Sequence, residues 1–295
     1  MDQITGIDVR MFVTQMRRGV MANRAQATFW TDVVGPQWVD KGEQIFDALA
    51  KPYGDRAMDA AGLEPGYRVL DVGCGTGLTT LEIARRVGPS GRVVGIDISP
   101  TLLAVARERS ASVDNIEIVE GDAQTDELPS DADVVYSRYG TLFFEDPVAA
   151  HRNLHKALRP GGRLAFACWQ APQRNPWMGG PTMGAAQIFE MPAPPPPDTP
   201  SPFSFAGPDR IRSVLEEAGF GDIEIAEHID TVLMHLVDEE LGDVLKFGPM
   251  REAYENADHA TRQRVFAAMR EAVKQFETDD GHRFPSAGWI VTAQG

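Results

Sequence analysis

Cysteine is scarce in this sequence, and long apolar runs are missing. The two cysteines, Cys74 and Cys168, cannot build a disulfide framework or a cysteine-rich metal site. No stretch of about eighteen uncharged apolar residues occurs, so we expect no membrane-spanning helix. Residues 1–24 are interrupted by charged side chains and lack the apolar run of a signal peptide. Together these absences predict a cytoplasmic protein.

Basic residues are too few to balance the acidic ones. Lysine and arginine number 28 against 43 aspartates and glutamates, which gives a formal net charge of −15. Nucleic acids and anionic membrane surfaces would be repelled at long range, so we expect neither as a partner. The hydrophobic fraction of 43% is typical of a folded domain. We therefore expect a protein that acts on a small molecule.

Short β-branched runs alternate with helical patterns from residue 68 onward. The expected strands are Arg68–Asp71, Arg92–Asp97, Ile116–Glu120, Val134–Ser137, Arg163–Trp169, Asp222–Glu227 and Gly288–Ala293. The expected helices are Leu78–Val87, Pro100–Arg109, Pro147–Leu158 and Asp209–Ala218. Near-continuous apolar strands that alternate with helices predict an α/β fold, with a doubly wound parallel sheet covered on both faces.

Three segments fall outside this alternation and predict additions to the core. We divide the chain into an N-terminal helical cap (1–60), a Rossmann-like core (61–170), a proline-rich loop (171–208), a core helix and strand (209–230), a helical lid insertion (231–282) and a final core strand (283–295). Four consecutive prolines, Pro194 to Pro197, predict that the loop is extended rather than helical.

The strongest motif is the glycine-rich turn that follows the first strand, Asp71-Val72-Gly73-Cys74-Gly75-Thr76-Gly77. Glycines allow unusual backbone angles and let a ligand lie against the main chain. The helix that follows presents its free N–H groups at the same place. The dinucleotide fingerprint requires a third glycine where Leu78 stands, so that pattern is not met.

Two aspartates follow the next two strands. Asp97 closes the second strand, where an acidic residue can accept both hydroxyls of a ribose, and Asp122 follows the third strand, where it could reach an adenine amino group. Either aspartate alone could be a helix cap or a turn former. Because all three motifs fall at the carboxyl ends of consecutive strands, they predict one nucleotide site.

At these residues, together with Leu158-Arg159-Pro160-Gly161-Gly162, the sequence resembles the class I S-adenosylmethionine-dependent methyltransferases. The resemblance implies a seven-stranded sheet whose last strand is antiparallel, with S-adenosyl-L-methionine as the cofactor. It further implies that the glycines contact the methionine part, Asp71 orients its amino-acid end, Asp97 holds the ribose, and Ile98 and Ala123 sandwich the adenine. The expected cofactor-binding set is Asp71, Gly73, Cys74, Gly75, Thr76, Gly77, Asp97, Ile98, Asp122, Ala123 and Ser137.

The segment after the fourth strand bears on the substrate. It lacks the Asn/Asp-Pro-Pro-aromatic motif of DNA amino-methyltransferases and the paired glutamates of protein arginine methyltransferases. Phe143, Phe144 and Asp146-Pro147 look instead like small-molecule methyltransferases that include quinone-biosynthesis relatives. Arg138 either faces the pocket and holds an anionic group, or is a surface or ion-paired arginine.

Aromatic residues outside the core suggest a substrate pocket, although for most of them a role in sealing a cap against the sheet is the safer interpretation. The expected pocket set is Trp30, Trp38, Arg138, Phe143, Trp169 and Trp177. A general base is needed only if the acceptor still carries its proton, and the candidates are His228, His235, His259, His282 and Tyr139. His151 and His155 lie one helical turn apart, but neighbouring Arg152 and Lys156 favour a solvated face, so we expect no metal.

The leading hypothesis is a methyltransferase that transfers a methyl group, by in-line displacement, to a small and aromatic or otherwise apolar metabolite. One alternative is a non-catalytic protein of the same fold that binds the cofactor or a metabolite as a sensor. Another is a nicotinamide-dependent dehydrogenase. Leu78 argues against it, because the dinucleotide fingerprint requires a glycine at that position. The sequence is compatible with a monomer or a homodimer.

Overall fold

The computed structural model describes residues 23–191, 199–248 and 250–295, and these form an α/β fold around one mixed sheet. The strands are β1 (Arg68–Val72), β2 (Arg92–Asp97), β3 (Ile116–Glu120), β4 (Ala132–Arg138), β5 (Leu158–Trp169), β6 (Gly221–Met234), β7 (Glu277–Thr278) and β8 (Gly281–Gln294). Their order across the sheet is β3-β2-β1-β4-β5-β8-β6, with β7 paired to β8. The pairs from β3 to β5 are parallel, whereas β8 runs antiparallel to β5 and β6. The predicted fold, with an antiparallel last strand, is confirmed.

Helices cover the sheet and extend beyond it. They are α1 (Arg24–Thr28), α2 (Gly35–Gln37), α3 (Glu43–Ala61), α4 (Leu78–Val87), α5 (Pro100–Ser110), α6 (Pro147–Ala157), α7 (Pro176–Ala185), α8 (Pro208–Ala218), α9 (Asp238–Phe247), α10 (Arg251–Asn256) and α11 (His259–Val273). Two π-helical turns, Phe29–Val33 and Trp38–Gly42, join the first three helices. Helix α3 packs on β4, β5 and β8, so the N-terminal segment lies against the centre of the sheet.

Local sequence explains where the core elements begin. The side-chain oxygens of Ser99 and Asp146 accept hydrogen bonds from the backbone N–H groups of Leu102 and Ala149, at 3.3 and 2.9 Å. A proline follows each cap, at the helix position where the missing N–H costs nothing. The central strand β5 is fully buried from Leu164 to Cys168, as expected for a strand covered on both faces.

Several predicted boundaries are wrong. The proline-rich loop (171–208) contains helix α7, since Pro176 occupies the first helical turn, where proline is tolerated. The predicted lid insertion (231–282) is shorter, because β6 runs on to Met234 and pairs in register with β8 from residue 282 onward. Strand β5 begins at Leu158 rather than Arg163, because an irregularity in β4 lets Ala132 pair with Leu158.

The insertion between β6 and β8 buries its apolar side within the same chain. Val265, Phe266, Met269 and Val273 of α11 are all buried. Helix α11 packs closely on α7, where a Cβ on Gly184 would lie 2.3 Å from the Ala268 carbonyl oxygen. In the described part of the chain, no helix has the length and apolar character needed to cross a membrane.

His151 is not on a solvated face, contrary to the prediction. Its side chain is fully buried on α6 and packs against Phe144, Phe166 and Phe205. Nδ1 lies 2.7 Å from the Pro147 carbonyl oxygen, which can only accept, so Nδ1 carries the proton. Burial lowers the pKa of His151 to about 4. Among the described residues, no group of three or more His, Cys, Asp or Glu side chains is arranged to hold a metal ion.

We expect His151 to weaken the protein in acid. The unfolded chain takes up this proton below its ordinary pKa of about 6.5 and the folded chain only near pH 4. Stability is therefore lost as the pH falls from about 6.5 to 4, by roughly 2–3 kcal/mol in the free energy of unfolding. Urea denaturation at pH 7 and 4.5 should show this loss in the wild type and a smaller loss in His151→Asn.

The variant is needed because buried Asp71 acts in the opposite direction. Its pKa is raised by burial to about 6, so its contribution to stability is present at low pH and is lost as the pH rises towards 6. Asp71 contributes equally in the wild type and in His151→Asn, so its contribution cancels when the pH dependences of their unfolding free energies are subtracted. Equal pH dependence of the two proteins would contradict the assignment of a buried, neutral histidine.

Candidate functional site

The three glycines of the turn between β1 and α4 adopt left-handed backbone angles. Gly73, Gly75 and Gly77 have φ of +69°, +54° and +85°. A Cβ on Gly73 would lie 2.7 Å from the Cα of Gly140, and a Cβ on Gly77 would lie 3.1 Å from the Cβ of Ala106. At Gly75 a Cβ would meet no described atom within 4 Å. Two glycines are therefore required by packing, whereas Gly75 faces open space.

Asp97 connects this turn to the end of β2. Its Oδ2 accepts a hydrogen bond from the backbone N–H of Gly75 at 2.9 Å, and its Oδ1 accepts one from the N–H of Ser99 at 2.9 Å. Desolvation raises the pKa of Asp97, while these amides oppose the rise. The carboxylate thus fixes the turn and the start of α5 and still has lone pairs on both oxygens.

Asp71 is completely buried beneath the turn. Its Oδ2 accepts hydrogen bonds from the hydroxyls of Thr79 and Thr80, both at 2.7 Å. Its Oδ1 has no partner among the described residues. Asp71 therefore joins β1 to the first turn of α4 and retains one uncommitted acceptor next to the glycines.

Asp122 is engaged by a residue that the sequence analysis missed. Its Oδ1 accepts from the Asn23 side-chain amide at 2.8 Å and from the Gln124 backbone N–H at 2.9 Å. Asn23 is only 2% exposed, and its own oxygen accepts from the N–H of Glu145 at 2.8 Å. Its φ of +56° suits asparagine, but 99 residues separate it from Asp122, so no local signal could have revealed this contact.

The described part of the N-terminal cap, from residue 23 onward, crosses the carboxyl ends of four neighbouring strands. Besides the Asn23 contact after β3, the Trp30 carbonyl accepts from the Ser99 hydroxyl after β2 at 2.9 Å. Glu43 binds the Thr76 hydroxyl in the glycine turn after β1 and pairs with Arg109 at 2.8 Å. The segment is therefore anchored directly over the predicted cofactor residues.

Arg138 makes the fourth of these contacts, at the end of β4. Its guanidinium pairs with Asp47 of α3 at 2.8 Å. Of the two interpretations left open above, the ion-paired arginine is the one found. Ser137 also has a structural partner, because its hydroxyl donates to the Val72 carbonyl at 2.8 Å and links β4 to β1.

The other predicted cofactor residues line the same strand ends. Ile98 follows β2 and is partly accessible, whereas Ala123 follows β3 and is buried. Cys74 is also buried, which raises the pKa of its thiol well above the ordinary value. A thiol in that state is not a nucleophile at neutral pH.

The predicted pocket aromatics divide into two groups. In the first group, Trp30 lies 5.1 Å from Phe143 and 5.8 Å from Trp38, measured between ring centroids. Because Trp30 also contacts Ser99 through its backbone, this group covers the side of the site that carries Asp97. Trp169 and Trp177 belong to a second group, at the end of β5.

The second group consists of Tyr53, Tyr139, Trp169 and Trp177, and we call it the aromatic row. The ring of Tyr139 stacks on Trp169 with a centroid distance of 4.3 Å and an interplanar angle of 13°. Tyr53 and Trp177 meet Trp169 edge-on, at 4.8 and 5.3 Å. Tyr53 lies over Gly288, where a Cβ would come within 2.6 Å of its ring. A glycine in β8 thus makes room for the row.

The candidate bases differ in burial and in their distance from the aromatic row. Burial raises the pKa of Tyr139 well above its ordinary value, so it cannot act as a base near neutral pH. The ring of His228 lies 4.9 Å from Tyr53, and burial lowers the pKa of this histidine, so it is neutral at pH 7. His235 and His259 are exposed, and His235 follows the end of β6, about 23 Å from His228 at a strand rise of ~3.3 Å per residue. His282, opposite Met234, is similarly distant.

Comparison with known proteins identifies similar sequences and folds. A family described as "Methyltransferase domain" matches residues 69–162. A demethylmenaquinone methyltransferase from Staphylococcus aureus (strain JH9) is 32% identical over 206 residues, which cover 63% of this chain and 81% of the relative. Haemonchus contortus phosphoethanolamine N-methyltransferase 2, solved with S-adenosyl-L-methionine, has a TM-score of 0.56 at 16% identity. The match covers 94% of this chain and 60% of the Haemonchus contortus chain. A protein of Bacillus halodurans C-125 described as a methyltransferase has a TM-score of 0.54 at 19% identity, over 81% of this chain and 97% of its own.

Two alanine substitutions in the glycine turn should differ in their cost to stability. Gly75→Ala introduces only the strain of a left-handed alanine, about 1–2 kcal/mol. Gly73→Ala adds a collision with the Gly140 backbone and should cost roughly 1–3 kcal/mol more. Urea unfolding of both variants measures the difference. Equal loss in the two would show that the turns at Gly73 and Gly140 are not in contact.

Proposed function

The chain belongs to the class I S-adenosylmethionine-dependent methyltransferases, and on this premise we propose that it methylates a small aromatic metabolite beside the aromatic row. The observation that carries the proposal is the contact between the glycine turn and the segment that bears the row. Gly73 touches Gly140, and the preceding residue, Tyr139, stacks on Trp169. A ligand in the turn and an aromatic ring at the row would therefore be neighbours.

The residues of the turn fit the cofactor. Gly75 faces open space, both Asp97 oxygens retain a lone pair for ribose hydroxyls, and Asp71 keeps an uncommitted oxygen. S-adenosylmethionine supplies an electrophilic methyl group, whose bond to sulfur breaks with the electron pair left on sulfur. We assign Gly73, Gly75, Gly77 and Asp97 to its binding.

Asp122 has one oxygen left for the adenine. Its Oδ1 already accepts two hydrogen bonds, and its Oδ2 accepts one from the Thr125 hydroxyl at 3.2 Å. Oδ2 therefore retains a lone pair for an adenine amino group, with the Asn23 amide still bound to Oδ1.

The aromatic row supports the proposed class of substrate. The stacked and edge-on rings are largely buried and make this part of the molecule apolar, and aromatic faces attract a cation such as a sulfonium group. Apolar surroundings of this kind exclude water and favour a flat acceptor held for in-line transfer. The demethylmenaquinone methyltransferase relative supports a quinone-like aromatic acceptor. The net charge of −15 supports a small molecule over a nucleic acid.

Among the candidate histidines, His228 adjoins the aromatic row through Tyr53, and its lowered pKa keeps it neutral and able to accept a proton at pH 7. The rings of Tyr53 and Trp169 stand between it and Tyr139 beside the glycine turn, so we assign it no direct proton removal from an acceptor at the turn. Its Nε2 has no hydrogen-bond partner among the described residues and lies 3.9 Å from Asp230 Oδ2. A nearby carboxylate would stabilise the protonated ring.

We expect Gly75→Ala to weaken binding of S-adenosylmethionine at least about tenfold, because the added methyl group enters the space assigned to the cofactor. Gly161→Ala is the matched control. Gly161 also has a left-handed φ, +75°, and open space around its Cβ position. It lies near the start of β5, however, away from the carboxyl ends of the strands where the cofactor is placed. Titration calorimetry should show unchanged affinity for the control. Equal affinity of both variants would refute the placement of the cofactor at Gly75.

Turnover tests the activity itself. Hydroquinones, catechols and naphthols incubated with the protein and cofactor should yield S-adenosylhomocysteine, measured by mass spectrometry, and Gly75→Ala should yield far less. Aliphatic and nucleic-acid acceptors provide the comparison. Tight cofactor binding without turnover of any aromatic compound would favour the sensor hypothesis over the enzyme that acts on aromatic compounds.

A further inference from the structure

Tyr139 has a backbone conformation that is unfavourable for a bulky residue. Its φ is +67° and its ψ is −11°, at the junction between β4 and the turn of Gly140–Phe143. Such a conformation costs about 1–3 kcal/mol and persists only where surrounding contacts hold it. Here the Tyr139 N–H donates to the Ala167 carbonyl at 3.1 Å, and its ring stacks on Trp169. The side chain is therefore held in one fixed direction.

The Tyr139 hydroxyl is buried and has no hydrogen-bond partner among the described residues. The polar groups of Tyr53 and Trp177 in the aromatic row have partners. The Tyr53 hydroxyl donates to Ser286 Oγ at 2.8 Å, and the Trp177 indole N–H lies 3.3 Å from both Ser286 Oγ and Asn175 Oδ1. An unpaired buried hydroxyl costs about 1–3 kcal/mol, so both the backbone and the side chain of Tyr139 oppose folding.

The position of this hydroxyl relates it to the reaction. Tyr139 precedes Gly140, whose backbone touches Gly73 in the turn assigned to the cofactor. His228, whose Nε2 is also unpartnered in the described chain, lies at the other end of the row, with the rings of Trp169 and Tyr53 between it and Tyr139. Tyr139 thus brings a buried hydroxyl without a partner among the described residues to the side of the row next to the glycine turn.

We propose that the Tyr139 hydroxyl donates a hydrogen bond to an oxygen of the substrate and thereby selects aromatic rings that carry a hydroxyl or carbonyl group. The inference rests on the proposed function and narrows its substrate class. Because burial holds the pKa of this phenol well above neutral pH, the group is a permanent donor and takes no proton from the acceptor. The hydrogen bond would orient the ring and, for a phenolic substrate, stabilise charge on its oxygen.

Tyr139→Phe tests the proposal, because it keeps the stacked ring and removes only the hydroxyl. The probes are 1-naphthol and naphthalene, which differ by one oxygen, and dialysis in the presence of S-adenosylhomocysteine gives their dissociation constants. The wild type should bind 1-naphthol about tenfold more tightly than naphthalene, and the variant should bind the two about equally. An unchanged preference in the variant, or no binding of either probe by the wild type, would overturn the proposal.

Tyr53→Phe is the matched comparison for stability. It removes a hydroxyl that has a partner, from a ring that contacts the same tryptophan. The melting temperature should fall for Tyr53→Phe and stay level or rise for Tyr139→Phe. An equal fall in both would mean that the Tyr139 hydroxyl has a structural partner, which contradicts the inference.

The two proposals can fail separately. Loss of the naphthol preference in Tyr139→Phe is a binding result and does not require turnover. If the wild type methylates aromatic compounds but Tyr139→Phe retains the preference, only the assignment of Tyr139 is wrong. If the wild type releases no S-adenosylhomocysteine with any aromatic compound, the proposed function is wrong whatever the dialysis shows.

Discussion

The contact between the backbone turns at Gly73 and Gly140 fixes the geometry of the site. A Cβ on Gly73 would lie 2.7 Å from Gly140 Cα, and a Cβ on Gly140 would lie 2.7 Å from the Val72 carbonyl oxygen. No side chain fits at either position, so the loops after β1 and β4 are held against each other. One loop presents Gly75 and its bond to Asp97, and the other directs Tyr139 towards Trp169. The cofactor residues and the aromatic row are adjacent for this reason.

The N-terminal segment completes the site through polar contacts with residues that are far away in the sequence. Asn23, Glu43 and Asp47 bind side chains that follow β3, β1 and β4. These groups are partly or wholly buried, so their hydrogen bonds are stronger than they would be in water, and leaving any of them unpaired would be costly. The described residues of the cap are therefore positioned by specific pairs, two of which are made by helix α3, the helix that also packs on the sheet.

Local sequence signals predicted most of the core. The apolar strands, the helices that begin at Pro100 and Pro147 and the glycine turn are governed by neighbours in the chain, and they lie where expected. These local signals failed to predict the structure where a residue far away in the sequence determines it. The β6–β8 extension depends on pairing across the insertion, and the burial of His151 depends on Phe166 and Phe205, which arrive from other elements.

The sequence by itself determined the fold class, because the alternation of strand and helix patterns is a short-range signal, and its resemblance to the class I methyltransferases implied the cofactor and the ribose role of Asp97. Only the tertiary structure decided which aromatics belong together, and it placed Trp30 with Phe143 and Trp169 with Tyr139. It also decided that the Tyr53 hydroxyl is satisfied while that of Tyr139 is not. Hydrogen-bond partners of buried groups are set by three-dimensional packing, which no periodicity in the chain encodes.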